Sequence, residues 1–170
     1  MRRRGFSLIE LTMVLLIAGI VAGAVVVRLH DPMRRAELAD VLDRTAHLDR
    51  LTRTAARRHD KALRLVVDLT AGEIRQTDTN GEQGLDPLKL PSRWRIERLI
   101  VSGRVVRSGS VSIACSRTGR TPSYAMLVTG PGDRSRWLLL AGLTGRRVEK
   151  ESEEDVRAIL AAAGLRPDAR

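Results

Sequence analysis

The sequence predicts an α+β chain in which a long amino-terminal helix, transmembrane in its first part, packs on an antiparallel β-sheet head. Three observations carry the prediction. Phe6 to Val27 is an apolar run of 22 residues. From Met33 onward, apolar residues recur at three- and four-residue spacing, the mark of a helix with one buried stripe. After Arg58 the period shortens toward two, and Gly, Pro and Asn punctuate it, as in strands joined by turns. The 170 residues accommodate one globular domain plus a helical arm.

Taken in order, residues 1–5 read as a short basic leader, Met1-Arg2-Arg3-Arg4-Gly5. Residues 6–29 read as a transmembrane helix, because at 1.5 Å per residue the apolar run reaches about 33 Å against a hydrocarbon core of roughly 30 Å. A secretory signal would have a shorter core. Ala22-Gly23-Ala24 could supply its cleavage site, but Val25 to Val27 prolong the run. A plain anchor leaves Glu10 unexplained, since an acidic group in hydrocarbon costs several kcal/mol and has a partner. A core helix of a soluble protein has no use for the arginine cluster. Gly19 and Gly23 form a GxxxG pair that permits close helix packing.

Asp31-Pro32 predicts a kink or brief interruption. Residues 30–58 then continue as an amphipathic helix into the head, with Leu38, Val41, Leu42, Thr45, Leu48, Thr52 and Ala55 on one stripe and a solvated charged face from Arg34 to Arg58. Residues 59–150 form the β-sheet domain. Ala62 to Leu69 and Gly72 to Gln76 read as a hairpin around Thr70-Ala71-Gly72, and Pro87 to Pro91 reads as irregular. Trp94 to Val101, Ser110 to Cys115, Ser123 to Thr129 and Ser135 to Ala141 are strands, and Thr144 to Val148 is a closing turn and strand. Residues 151–170 are a carboxyl-terminal helix and tail. Ser152-Glu153-Glu154-Asp155 is a capping box leading into Val156, Ile159 and Leu160. That helix covers the sheet or docks on a partner.

Composition narrows the function. Cys115 is the single cysteine, so no intramolecular disulfide or thiolate cluster can form, and its apolar run marks it as a core residue. His30, His47 and His59 lack the spacing of a helical ligand pair. No phosphate-binding loop, nucleophile elbow or zinc-protease motif is present, so no catalytic residue, metal or cofactor is expected. Net charge is +10, carried almost entirely by arginine. Nucleic acid is therefore a partner to weigh, and Arg93, Arg95, Arg98, Arg104 and Arg107, or Arg117, Arg120, Arg134 and Arg136, are the residues that would bind it.

Gly5-Phe6-Ser7-Leu8-Ile9-Glu10 followed by an apolar helix resembles the signal of type IV pilins and type II secretion pseudopilins. The resemblance implies a pilin-like fold. It also implies a prepilin peptidase that cuts after Gly5 and methylates the new terminus, Phe6, lowering the net charge from +10 to +7 by the loss of three arginines. Glu10 becomes the assembly residue, neutralised by the terminal amine of a neighbouring subunit. Three looser features resemble the minor pseudopilins of the H type (GspH/FimT-like): the helix end Arg57-Arg58-His59, Asp68 before a glycine turn, and Thr144-Gly145-Arg146. The calcium-binding loop of the major subunit has no counterpart here.

The function so implied is that of a non-enzymatic minor pseudopilin, a structural subunit of the type II secretion pseudopilus that helps export folded proteins. Its partners would be other pseudopilins, prepilin peptidase, the inner-membrane secretion platform and membrane lipid. It would cross the inner membrane once, with the head in the periplasm. The alternative is a minor type IV pilin acting in pilus assembly or DNA uptake through the Arg93 to Arg107 group.

Overall fold

The computed structural model describes residues 8–132 and 134–162, and within the first helix the side chains of 8–23, 33 and 35 onward. The elements in chain order are α1 (Leu8–His59), β1 (Leu63–Asp68), β2 (Glu73–Asp78), β3 (Leu88–Lys89), β4 (Arg95–Val101), β5 (Arg104–Val106), β6 (Ser110–Cys115), β7 (Tyr124–Thr129), β8 (Ser135–Leu140), β9 (Arg147–Lys150) and α2 (Glu153–Ala162). The chain divides into two compact units, up to Ala39 and from Asp40 onward.

In the first unit α1 is uninterrupted through Asp31-Pro32, where a break is predicted. A proline inside a helix removes one backbone donor, and the hydrogen bonds of the turns on either side persist. Among the described residues no helix is long and apolar enough to cross a membrane. The described side chains of the expected span run from Leu8 to Gly23, about 24 Å of helix.

The second unit is the head. Its expected β-sheet is two antiparallel sheets, one in the order β3-β2-β1-β6 and one in the order β5-β4-β7-β8-β9. The chain passes between the sheets after β3, after β5 and after Cys115, the last time through a tight turn in which the Ser116 N–H donates to the Arg120 carbonyl at 2.8 Å and Gly119 takes φ +75°. Two strands were not expected. β3 is a two-residue pairing inside the Pro87 to Pro91 stretch. β5 is three residues long and returns from β4 through Ser102-Gly103, both at positive φ, so that Arg104 pairs with Val101. Positive φ at both central residues is the turn whose twist suits a two-residue hairpin.

The β1–β2 hairpin forms where the sequence places it. The Asp68 carboxylate accepts hydrogen bonds from the backbone N–H groups of Thr70 (3.0 Å) and Ala71 (2.8 Å), and the Ser110 hydroxyl donates to its other oxygen at 2.8 Å. Led by the Ala71 bond, these hold the Asp68 carboxyl below its ordinary pKa. A carboxyl whose pKa is depressed on folding stabilises the fold above its unfolded value and loses that effect as pH falls through the folded one. Asp68→Ala is therefore expected to lower Tm at neutral pH, and the gap from the parent should close below about pH 4. Thermal scans across pH check this, and a gap that persists in acid would assign the loss to something other than the ionised carboxylate.

The five-stranded sheet is covered on both faces. All six residues of its central strand β7 are buried. On one face Ala125, Leu127, Trp137 and Leu139 pack with Val156 and Leu160 of α2, so this helix covers the sheet as expected. Tyr124 and Met126 lie on the other face, since strand residues alternate, and the Tyr124 hydroxyl reaches Asp49 on α1. Of the expected α1 stripe, Leu38, Val41, Leu42, Thr45, Leu48 and Thr52 are buried and Ala55 is half-buried, while Ala46 and Ala56, which were not expected, are buried beside them. At its end Ala56 packs with Leu63 and Cys115. Cys115 is a core residue, and burial pushes its thiol pKa up.

Candidate functional site

The amino-terminal segment is the first candidate. Gly5 and Phe6 lie outside the described residues. Glu10 sits in the first turn of α1, exposed, where a carboxylate faces the positive end of the helix dipole. Around it the helix is apolar on every side: Leu8, Ile9, Leu11, Met13, Leu15, Leu16, Ile20 and Val21 are each more than half exposed. A helix that is apolar all round is stable only where something other than water covers it. Side chains at Gly19 and Gly23 would meet nothing within 4 Å, so this stripe is open to a neighbouring helix.

The second candidate is a buried polar network in the head that the charged helix pattern concealed. Asp49 and Arg53, one turn apart on α1, belong to the stretch expected to be a solvated face, yet they are 1% and 4% exposed. The stripe is simply wider than the apolar residues suggest. Arg53 Nε donates to Asp49 Oδ2 at 2.6 Å, one terminal nitrogen donates to the Gly142 carbonyl at 2.6 Å, and the other donates to Thr121 Oγ1 at 2.6 Å. Tyr124 donates its hydroxyl to Asp49 Oδ1 at 3.0 Å. Burial, with the Asp49 charge beside it, pushes the Tyr124 pKa well above its ordinary value, so it remains a donor.

Close backbone approach makes the network possible. A Cβ at Gly142 would lie 2.1 Å from the Thr121 carbonyl, so no other residue fits there. Gly145, at the centre of Thr144-Gly145-Arg146, takes φ +67° and faces the Arg53 side chain. The guanidinium thus clamps α1 to the β6–β7 and β8–β9 loops. Each of its three nitrogens donates a hydrogen bond inside the head. Asp49, Arg53 and Tyr124 were missed from sequence, and the available signal was an i, i+4 acid–base pair in phase with Thr45 and Thr52.

The arginines offered for nucleic acid do not form one patch. Arg93 and Arg95 are exposed at the start of β4, whereas Arg104 is exposed opposite Val101 at its other end, and Arg107, also exposed, follows Val106, which pairs with Leu99. Six residues of strand separate Arg95 from Val101, about 20 Å. Arg98, between them, donates to Glu153 at 2.7 Å on the α2 face. In the other group Arg117 and Arg120 are exposed on the β6–β7 turn, while Arg136 pairs with Glu151 and Arg134 is half-buried. Among the described residues no group of three or more His, Cys, Asp or Glu side chains could hold a metal.

Residues 1–26 match the family profile described as the prokaryotic N-terminal methylation motif. The fold is similar to that of the minor pseudopilin EpsH from the type 2 secretion system of Vibrio cholerae, with a TM-score of 0.55 and 9% sequence identity over 79% of this chain and 99% of that one. No curated protein matches the sequence. The amino-terminal motif and the pilin-like α+β fold therefore occur together in one chain.

Proposed function

We propose that the chain is a minor pseudopilin, a membrane-anchored structural subunit of a type II secretion pseudopilus. The observation that carries this reading is the union of a methylation motif over residues 1–26 with a fold similar to a minor pseudopilin. In this reading residues 1–5 are removed by prepilin peptidase and Phe6 is methylated. The apolar helix beginning there is held first by lipid and then by the helices of other pseudopilins. The head catalyses nothing. Its buried polar groups are spent on fixing α1 against the sheets, and the secretion platform acts on the assembled subunits.

Glu10 has a defined task under this reading. In a bundle of apolar helices its carboxylate is costly unless paired, and the terminal amine of a neighbouring Phe6 supplies the opposite charge only on assembly. The pilus or DNA-uptake alternative shares the motif, but of the arginines it calls on Arg98 is engaged by Glu153, and Arg104 lies at the opposite end of β4 from Arg95.

Processing tests the reading. Intact-mass analysis of the membrane fraction is expected to show a chain beginning at Phe6 and carrying one extra methyl group, with Gly5→Leu retaining the leader. A mature chain beginning at Val25 would make the segment an ordinary signal peptide and remove the basis for a filament subunit.

A further inference from the structure

We propose that a cleft along the head portion of α1 is the docking site for an amphipathic helix of a partner protein bearing carboxylates about two turns apart. The cleft has a volume of about 590 Å³ and lies between α1 from Asp43 to Leu51 and the segment Leu85–Leu88. It continues along the helix past Ala55 to His59, sharing Leu51 and Leu85 with its first part. Its extent, from Asp43 to His59, is about 24 Å of helix, room for roughly four turns of a partner.

The floor is apolar. Leu48 is buried, Leu51 is 40% exposed, and Leu85, Pro87 and Leu88 are half-buried. Leucine at position 51 leaves 40% of its surface open to the cleft and is the residue that a docking side chain would cover.

The rim sets the sign of the partner. Asp43 is paired with Arg147, and Arg44 with Asp40 at 2.9 Å. Among the described residues Arg50 and Arg58 are exposed without a carboxylate partner. Asp86 is the one unpaired carboxylate on the same rim. Arg50 and Arg58 are eight residues apart, about 12 Å along the helix and roughly 80° apart around it, each lining one part of the cleft. Two guanidiniums so spaced match carboxylates separated by two turns on an opposing helix, while Leu51 and Leu85 between them receive its apolar stripe.

The test uses the full chain in phosphatidylcholine nanodiscs and a fluorescein-labelled peptide of about sixteen residues. The peptide carries leucines at helical i, i+3, i+4, i+7 spacing, glutamates two turns apart, and alanine and glutamine elsewhere. Saturable binding above that of empty discs is expected. It should weaken at least tenfold with Leu51→Asp, at least tenfold with Arg50→Glu/Arg58→Glu, and not at all with Arg104→Glu, all four positions being exposed. A peptide with lysine replacing glutamate should not bind. Equal binding of the lysine peptide, indifference to the cleft variants, or absence of saturable binding would each overturn the proposal. So would oligomers of the chain that Leu51→Asp dissociates, because the occupant would then be a second copy.

Discussion

Glu10→Ala is expected to leave membrane insertion and head folding intact while abolishing recovery of the chain in assembled filaments, an all-or-none loss. The substitution keeps the helix and makes the segment more apolar, so partition into lipid improves. What disappears is the one charge in a run where Leu8, Ile9 and Leu11 face outward, and with it the proposed pairing to a neighbouring terminal amine. Fractionation combined with cross-linking to other pseudopilins checks this. Normal filament incorporation of Glu10→Ala would mean that the carboxylate serves another purpose, and Glu10→Asp separates charge from reach.

The second large effect is expected at Arg53. Arg53→Met leaves the buried Asp49 carboxylate without its counter-ion and the Gly142 carbonyl without a donor. Breaking a buried pair by removing one partner costs about 3–5 kcal/mol, a large share of the roughly 5–15 kcal/mol that stabilises a typical domain. The head should therefore be largely lost, read in the detergent-solubilised full chain by urea titration of the buried Trp94 and Trp137. Arg53→Lys should recover little, because one ammonium lacks the planar fork that reaches Asp49 on α1 and one acceptor on each of two loops. Adding Asp49→Leu to Arg53→Met should recover part of the loss, since no charge is then stranded. The Tyr124 hydroxyl and Gly142 carbonyl would remain unpaired, at about 1–3 kcal/mol each. A single variant as stable as the parent would show that the clamp is dispensable.

Much of this architecture is legible in the residues themselves, and the remainder is hidden for physical reasons. Turn chemistry locates β1 and β2, because Asp68, Thr70 and Gly72 dictate a hairpin locally. β6 is legible at both ends from the alternation of Val111, Ile113 and Cys115. The acids of Glu153 to Asp155 likewise announce α2. What pairs with what is not local: nothing between Ser116 and Ser123 states that the chain returns there to the five-stranded sheet that β4 and β5 began. β5 escapes because three residues are too few to show a period.

Arg53 escapes for a different reason. A charge one turn from an opposite charge on an exposed-looking helix has the same pattern whether water or a fold surrounds it, and only the loops brought in by distant sequence decide which. The arginine groups show the converse, since Arg95 and Arg104, close in sequence, lie at opposite ends of an extended strand. For the candidate site, the Gly5 to Glu10 motif is legible in full because a peptidase reads it as a linear segment. The docking cleft is not, because its wall at Leu85 to Leu88 joins the helix only through the tertiary fold.

The measurement that bears most directly on the assignment is export in the native host after deletion of this chain. The account predicts that folded secreted proteins accumulate in the periplasm, that the wild-type chain restores their release, and that Glu10→Ala does not. Undiminished secretion in the deletion strain, accompanied by loss of surface pili or of DNA uptake, would contradict it.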